Sequence, residues 1–352
     1  MIENNPSDRI KNGKVAILLH QGIIGKSGKT GLAFLRYSEA SVVVAIDSEC
    51  AGQSLQELTS ISREVPIVAS VTEALSYSPD ILLIGIATSG GVLPTEWLEE
   101  INLAIAAGLS VVNGLHTQLA PLIKIPLKDD QWIWDVRQEP QKVGAIASAK
   151  AADLNCRRVL TVGTDMSIGK MSTSLELHRT SLKRGLRSKF LATGQAGLMI
   201  AGDGIPLDAV RVDFAAGAVE QMVVEFGCDR DILHIEGQGS LLHPGSTATL
   251  PLLRGSQPTH LVLVHRAGQT HIRYHPRVPI GPLSKVVELY EMVSKAAGAF
   301  VGAKVSAIAL NTHHLEETAA QLAIAEIQAE TGLPCTDPVR FGADLLLEAI
   351  AG

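Results

Sequence analysis

The chain has 352 residues, more than one hydrophobic core usually holds, so two domains are expected. Apolar residues make up 46% and charged residues 19%, which excludes a disordered chain, and the net charge of −6 argues against nucleic acid or an anionic membrane as a partner. Aromatic residues are only 4%, so the cores should consist of Ala, Val, Ile and Leu, as in α/β sheets covered by helices.

The cysteines and the N-terminus indicate the compartment. The four cysteines are isolated, without a C-x-x-C pair, which is typical of a reducing environment. The N-terminus M-I-E-N-N-P-S-D-R-I is polar, unlike the apolar part of a secretory signal, and no segment approaches the roughly 18 to 20 consecutive apolar residues of a membrane span. We therefore expect a cytoplasmic protein that acts on a small molecule. Its oligomeric state is left open, and a homo-oligomer is compatible with the sequence.

Short apolar runs alternate with amphipathic stretches in the first half of the chain. The predicted strands are Val15–Leu19, Val42–Ile46, Ile67–Ala69, Ile81–Ile86 and Val111–Val112. Helical spacing separates them at Thr30–Tyr37, Leu55–Glu64, Val71–Tyr77 and Glu96–Ala107. This β-α-β alternation predicts a parallel sheet with right-handed crossovers, whose ligands would bind beyond the carboxyl ends of the strands.

A glycine–lysine loop, residues 22–30, follows the first predicted strand. It is open to three interpretations: a phosphate site, a dinucleotide-type glycine turn with Asp47 binding ribose hydroxyls, or a strand–helix loop without a ligand. The later strand-end loop Asn113–His116 is a further place for a substrate, with His116 as the candidate contact.

The stretch Lys124–Gln141 breaks the pattern, with two prolines, seven charges and two tryptophans, and is interpreted as the connection between domains 1–140 and 141–352. A helix is predicted at residues 144–154. Five more strands are predicted at Val159–Val162, Ser188–Leu191, Ile232–Ile235, His260–Val264 and Val305–Leu310.

Residues 163–170, G-T-D-M-S-I-G-K, have the context of a phosphate-binding loop, because an apolar strand precedes them and a helical segment follows. Glycines let backbone N–H groups point inward, the new helix presents its positive end, and a lysine reaches the outer phosphates. Met171 stands where a hydroxyl usually binds Mg²⁺, so Ser172 or Thr173 would replace it, or the metal would be held differently. The candidate cofactor-binding residues are Gly163, Thr164, Gly169, Lys170, Ser172 and Thr173.

Other polar residues follow strands of the second half. Glu236 ends an apolar strand and is interpreted as a metal ligand or an acid–base group, or as a solvated loop residue. Asn311 would recognise a nucleobase edge or cap the next segment. His243 is a candidate general base or an exposed loop residue. Asp165 would cap the loop or orient a nucleophile or a substrate amine.

Taken together, these pieces resemble the dethiobiotin synthetase branch of P-loop proteins, which carries G-T-D-x-x-x-G-K, K-P-x-x-[ST]-G, E-G-x-G and a strand-end Asn. The counterparts here are Gly163–Lys170, Lys189–Gly194, Glu236–Gly239 and Asn311. Met171 departs from that pattern, as does Phe190, which stands where proline is usual. The resemblance implies ATP and Mg²⁺, with Glu236 and Ser172 as metal ligands.

A closer resemblance covers nearly the whole chain. Four stretches carry it: Gly163–Thr173, Thr193–Ile205, Asp213–Glu220 and Ile235–Pro244. They are similar to a bacterial and archaeal family long catalogued as a domain of unknown function and now called D-glutamate N-acetyltransferase-like. The resemblance implies a Rossmann-like N-terminal domain, a P-loop C-terminal domain, and acetylation of D-glutamate from acetyl-CoA in at least one member.

We therefore predict an enzyme that transfers an activated group to a small amino acid or carboxylate, with acetyl-CoA or ATP held by the loop. If CoA is the donor, the loop would hold its 3′-phospho-ADP end without a need for Mg²⁺. Glu236, Asp165, His243 and Lys189 are the candidate catalytic residues, Lys189 for the substrate carboxylate. Substrate contacts are assigned to Thr193, Gly194, Gln195 and His116. The alternatives are ATP-dependent activation of a carboxylate or carbamate, and a nucleotide-binding regulatory protein without catalysis.

Overall fold

The computed structural model describes residues 6–140 and 143–351 and divides into two compact units. The first unit extends to Gln138 and also includes Gln195–Gly202. The second consists of Glu139–Gly194 and the chain from Asp203 onward. The boundary predicted at residue 140 adjoins residues 141 and 142, which lie outside the described residues, and it stays a prediction.

Six parallel strands form the sheet of the first unit. They are β1 (Lys14–Leu18), β2 (Ser41–Ile46), β3 (Ile67–Val68), β4 (Ile81–Ile84), β5 (Ser110–Asn113) and β6 (Ile133–Asp135). Their order is β3-β2-β1-β4-β5-β6. The central strand β4 is buried on both faces, as expected for a parallel sheet covered by helices.

The helices of this unit bury small and aliphatic side chains against the sheet, among them Ile101, Ala104 and Ile105. They are α1 (Pro6–Asn12), α2 (Lys29–Tyr37), α3 (Leu55–Thr59), α4 (Val71–Ala74) and α5 (Thr95–Ala107), together with α7 (Gln195–Ala201) from the later part of the chain.

The second unit also has a six-stranded parallel sheet. Its strands are β7 (Arg157–Gly163), β8 (Ser188–Leu191), β9 (Ile232–Ile235), β10 (His260–Arg266), β11 (Lys304–Asn311) and β12 (Cys335–Thr336). The order is β12-β11-β10-β7-β9-β8. After β7 the chain forms β8 and β9 on one side of β7, and it then reverses direction to form β10, β11 and β12 on the other side. A sheet with this reversal binds ligands at the carboxyl ends of the strands beside the reversal, here β7, β9 and β10.

Six helices complete the described part of this unit. They are α6 (Lys170–Lys183), α8 (Ala215–Gly227), α9 (Thr249–Ser256), α10 (Leu283–Lys295), α11 (Glu317–Thr331) and α12 (Asp344–Ala351). The ten predicted strands are thus confirmed, with ends that shift by no more than two residues. The α/β class with two parallel sheets is confirmed as well.

Three predictions of local structure were wrong or incomplete. The connection predicted at Lys124–Gln141 contains β6, a sixth strand of the first sheet, while its last residue, Gln141, lies outside the described residues. The buried carboxylate of Asp135 accepts hydrogen bonds from the N–H groups of Leu119 and Ala120, which holds this short edge strand in place. The third helix ends at Thr59 rather than Glu64, because Ser60 takes the left-handed conformation.

The helix predicted at residues 144–154 is absent. Only Lys150–Asp153 form a short 3₁₀ turn. The carboxylate of Glu220 on α8 accepts the backbone N–H groups of Ser148 and Lys150, at 3.0 and 2.8 Å, and the Ser148 hydroxyl at 3.2 Å. These N–H groups therefore bond to a side chain instead of to carbonyls one turn back, and the segment forms no α-helix.

In the described part of the chain, no helix is both long and apolar enough to span a bilayer.

Replacing Glu220 with Ala is expected to destabilise the second unit by about 2–4 kcal/mol, because two backbone N–H groups would lose their acceptor in a buried place. Urea unfolding followed by circular dichroism would measure the change. Glu225→Ala, on an exposed position of the same helix, is the matched control and should change stability by less than about 0.5 kcal/mol. Equal effects of both substitutions would contradict this account of the segment.

Candidate functional site

The loop Gly163–Lys170 joins the central strand β7 to α6, the context that the sequence predicted. Gly169 has a φ of +119°, which side-chain-bearing residues avoid, and this turn lets the chain pass directly into the helix. A Cβ at Gly163 would lie 3.2 Å from Cδ of Lys170, so glycine allows the lysine stem to cross the loop closely. The first N–H groups of α6 have no acceptor within the helix, which makes this end suited to a phosphate.

Lys170 is buried, and its ammonium donates a hydrogen bond to the carbonyl oxygen of Asp165 at 2.7 Å. Burial lowers the pKa of Lys170 to about 8, while the negative charges of Asp165 and Glu236 act in the opposite direction. The lysine therefore lies inside the loop, with its charge only partly compensated.

Glu236, directly after β9, is also buried. Its Oε2 accepts the backbone N–H groups of Thr193 at 2.9 Å and Gly194 at 3.2 Å, and the Thr193 hydroxyl donates to its carbonyl oxygen at 2.7 Å. Oε1 has one long contact, 3.4 Å, from the amide of Gln238. Burial raises the pKa of Glu236 to about 7, against the lowering effect of the two N–H groups and of Lys170. A carboxyl with this pKa can gain or lose a proton near neutrality.

Asp165 is 1% exposed and organises the loop. Its Oδ1 accepts the N–H of Met166 at 2.6 Å, which is the turn-capping role that the sequence allowed. Its Oδ2 accepts the side-chain amide of Gln269 at 2.6 Å and the N–H of Arg273 at 2.7 Å. The carboxylate thus joins the phosphate loop to the segment after β10, and a role in orienting a nucleophile stays a prediction.

Two side chains hold carbonyl groups of the loop from outside. The hydroxyl of Tyr290 donates to Gly163 O at 2.7 Å, and Nδ2 of Asn311 donates to Ile168 O at 2.8 Å. Oδ1 of Asn311 accepts the N–H of His313 at 3.2 Å. The amide predicted to meet a nucleobase is therefore engaged in supporting the loop and in capping the following turn, as the alternative interpretation had it.

Thr164 is fully buried. Its hydroxyl bonds to Nδ1 of His265 at 2.9 Å, and its N–H donates to Val264 O at 3.1 Å. Both groups are engaged by β10, and the contact of Thr164 with a cofactor stays a prediction. Burial lowers the pKa of His265 to about 4, which keeps this ring neutral.

His243 lies half-buried after β9, where its ring centroid is 4.9 Å from that of His275. Its Nδ1 accepts the N–H of Gly245 at 3.0 Å, so in the neutral ring the proton is on Nε2. Burial lowers its pKa, while the charge of Asp165 raises it. The role of His243 as a general base stays a prediction.

The hydroxyl groups proposed in place of Met171 differ in exposure, because Thr173 is buried and Ser172 is half-buried. Among the residues that the structure describes, no three His, Cys, Asp or Glu side chains converge as metal ligands. A magnesium ion held by Glu236 and Ser172 would need phosphate and water to complete its octahedron, and it stays a prediction.

Lys189 already has two partners for its charge. Its ammonium forms an ion pair with Asp203, and it also lies 5.3 Å from the ring centroid of Phe226. Its contact with a substrate carboxylate stays a prediction.

The predicted substrate residues fall in both units. Thr193 and Gly194 hold Glu236 in the second unit. Gln195 and His116 belong to the first, where the Gln195 side chain packs against Gly114 and Arg137 bonds to Nε2 of His116 at 3.0 Å. Sequence reasoning missed Arg137, which lies in the stretch interpreted as a connection.

At the N-terminal glycine–lysine loop, the side chain of Asp47 already binds backbone N–H groups. The fully buried Asp47 accepts the N–H groups of Gln21 at 3.3 Å and Ile23 at 3.1 Å. A carboxylate from β2 thus occupies the amides that a phosphate would use. This geometry favours the interpretation of a loop without a phosphate, since both oxygens of Asp47 already accept backbone N–H groups.

Sequence reasoning also missed Tyr290 and Arg273 as supports of the phosphate loop. Tyr290 lies within α10, more than a hundred residues from the loop, and an aromatic residue on a buried helix face gives no signal of this contact. Arg273 follows β10 at the ligand-bearing edge, which is the signal that could have identified it.

Comparison with known proteins agrees with this architecture. Residues 145–347 match the P-loop domain of unknown function DUF1611, and residues 48–139 match the Rossmann-like N-terminal domain DUF1611_N. The chain belongs to the DUF1611 family. A crystal structure of a DUF1611 family protein from Anabaena variabilis is 64% identical, with a TM-score of 0.93 over 97% of this chain and 99% of that one.

Two curated relatives carry the name D-glutamate N-acetyltransferase. The one from Tritonibacter scottomollicae is 35% identical and covers 80% of this chain and 84% of its own. The one from a Pseudoalteromonas species is also 35% identical and covers 79% and 83%. The family resemblance predicted from the motifs is thereby confirmed.

Ionisation of Glu236 should lower the stability of the second unit as the pH rises. Its pKa is raised in the folded protein, so the stability that its protonated form provides is lost as the pH passes through about 7. Glu236→Gln keeps an acceptor for Thr193 N–H without the charge. It should match the wild type at pH 5 and exceed it at pH 8 by on the order of 1 kcal/mol in free energy of unfolding.

Urea titrations at both pH values would measure this difference, with Glu225→Gln as the exposed control. A difference between Glu236→Gln and wild type that is the same at pH 5 and pH 8 would contradict the raised pKa.

Proposed function

We propose that this protein transfers the acetyl group of acetyl-CoA to the amine of D-glutamate or of a closely similar amino dicarboxylate. The observation that carries the proposal is Glu236, a buried carboxyl beside the loop lysine whose pKa is raised to about 7. The names of the relatives from Tritonibacter and Pseudoalteromonas support the choice of acceptor and of acetyl transfer.

The reaction requires a base. The α-amine of the acceptor is protonated near neutral pH and must lose a proton before its lone pair attacks the thioester carbonyl carbon. The C–N bond then forms, the C–S bond breaks, and the second proton of the attacking nitrogen passes to the departing CoA thiolate, which leaves as the thiol. Oε1 of Glu236 is the atom we assign to take the proton, because Oε2 is held by Thr193 and Gly194.

The phosphate loop would hold the donor. CoA carries a diphosphate, and the positive end of α6 with Lys170 would bind it. Met171 at the position of the usual metal-binding hydroxyl supports a donor whose phosphates are not transferred. When acetyl-CoA is bound, its thioester supplies the activated acetyl group, and the residues of the chain bind, orient and deprotonate.

Substitution of the two buried charges should separate binding from chemistry. Glu236→Gln is expected to lower kcat by about 10²- to 10⁴-fold with a small change in KM for acetyl-CoA, as for loss of a general base. Lys170→Ala should mainly raise KM for acetyl-CoA, because it removes a phosphate contact. CoA release and the mass of the acetylated product would be measured with D- and L-glutamate, with Glu225→Gln as the control.

Other outcomes of that assay oppose the proposal. Release of ADP from ATP and Mg²⁺ with a carboxylate substrate would identify a ligase-like enzyme. Ligand binding without any product from the candidate substrates would indicate a regulatory protein. Full activity of Glu236→Gln would remove Glu236 from the chemistry.

The rate should depend on pH through the same carboxyl. Because only the ionised form of Glu236 accepts a proton, kcat/KM for D-glutamate is expected to rise with pH through an apparent pKa of about 7. Rates measured from pH 5.5 to 8.5 would show this limb in the wild type. The residual activity of Glu236→Gln should not show this rise of kcat/KM with pH. The same rise in that variant would mean that another group titrates.

A further inference from the structure

A cavity of about 480 Å³ lies beyond the carboxyl ends of β10 and β11 in the second unit. Five of its lining residues are basic side chains: Arg266, Arg273, His271, His313 and His314. Among the residues that the structure describes, none that lines this cavity carries a carboxylate. A cavity of this composition attracts an anion.

Arg266 is the least exposed of these groups. It ends β10, opposite Asn311 on β11, and is half-buried. Its Nε is buried and has no hydrogen-bond partner in the described part of the chain. A buried N–H without an acceptor is costly, so a phosphate oxygen that reached it would recover a charge-assisted hydrogen bond.

Positive charges also act on His313 at the edge of the cavity. Burial lowers the pKa of His313, and the charges of Arg266 and His314 lower it further, while Asp337 acts in the opposite direction. The carboxylate of Asp337 is engaged with the N–H and the hydroxyl of Thr312, at 2.8 and 2.7 Å. Among the charged groups that act on His313, the basic ones therefore outnumber the carboxylate of Asp337, which is already bound to Thr312.

The cavity shares its wall with the phosphate loop. Gln269 and the backbone of Arg273 bind the carboxylate of Asp165, and Asn311, next to His313, binds the carbonyl of Ile168. Glu236 follows β9, on the opposite side of β7 from β10. The loop therefore lies between the acid–base residue and the basic cavity.

We propose that this cavity binds the 3′-phosphate of the CoA ribose, with Arg266 and Arg273 as the residues that select CoA over nucleotides without that group. The inference rests on the proposed function, since it needs CoA as the donor. CoA carries a diphosphate for the loop and, on the ribose beside it, a phosphomonoester that ATP and dephospho-CoA lack. The acetyl end then extends toward Glu236.

Calorimetric titration of the full chain with CoA and with 3′-dephospho-CoA tests the proposal. The wild type should bind CoA about tenfold to hundredfold more tightly, the effect of one or two charge-assisted hydrogen bonds. Arg266→Gln and Arg273→Gln should each weaken CoA binding about tenfold and leave 3′-dephospho-CoA unchanged. The Arg273 backbone contact to Asp165 is retained in its variant.

Arg277→Gln is the matched control, because Arg277 is exposed on the same segment and lies outside the cavity lining. It should change neither affinity, and Lys170→Ala should weaken both ligands. Equal wild-type affinities for CoA and 3′-dephospho-CoA would overturn the assignment of the cavity while leaving acetyl transfer intact. Failure of CoA and acetyl-CoA to bind at all would overturn both.

Discussion

Two opposite charges, Lys170 and Glu236, are buried beside the same loop, and the rest of the site follows from the need to stabilise them. Burial removes both groups from bulk water, and backbone groups bind them instead. A carbonyl of the loop accepts a hydrogen bond from the ammonium, and two N–H groups after β8 donate hydrogen bonds to the carboxylate. The attraction between the charges offsets only part of the desolvation cost, which leaves the pKa values of both groups near neutrality. Both groups can therefore gain or lose a proton near neutral pH.

The loop is fixed by contacts from several strands and helices at once. Asp165 binds the segment after β10, Asn311 reaches from β11, and Tyr290 reaches from α10. Because these supports come from one side of β7 and Glu236 from the other, the loop separates two environments. One side offers a carboxyl that can carry a proton, and the other a basic cavity. The arrangement suits a long ligand with phosphates at one end and a reactive group at the other.

The sequence predicted those features that depend on local order along the chain. Apolar runs located ten strands, and the strand–glycine–lysine–helix order located the phosphate loop and Glu236. Prediction from the sequence failed where tertiary packing decides which partner a side chain contacts. The ion pair between Lys189 and Asp203 gives no signal in the sequence. Residues 144–154 have a composition typical of a helix, but the side chain of Glu220, far along the chain, binds N–H groups of this segment. Short edge strands such as β6 carry too few residues to show a pattern.

Helix α7 has a consequence for how the chain is made. It follows β8 in sequence, yet it contacts α1 and α2 of the first unit, where Leu198 and Met199 are buried. During synthesis the first 138 residues leave the ribosome well before this helix does. The N-terminal unit therefore cannot complete its fold during synthesis before α7 has emerged. Recombination between relatives that exchanges the first unit would also have to exchange α7, which lies in the second half of the sequence.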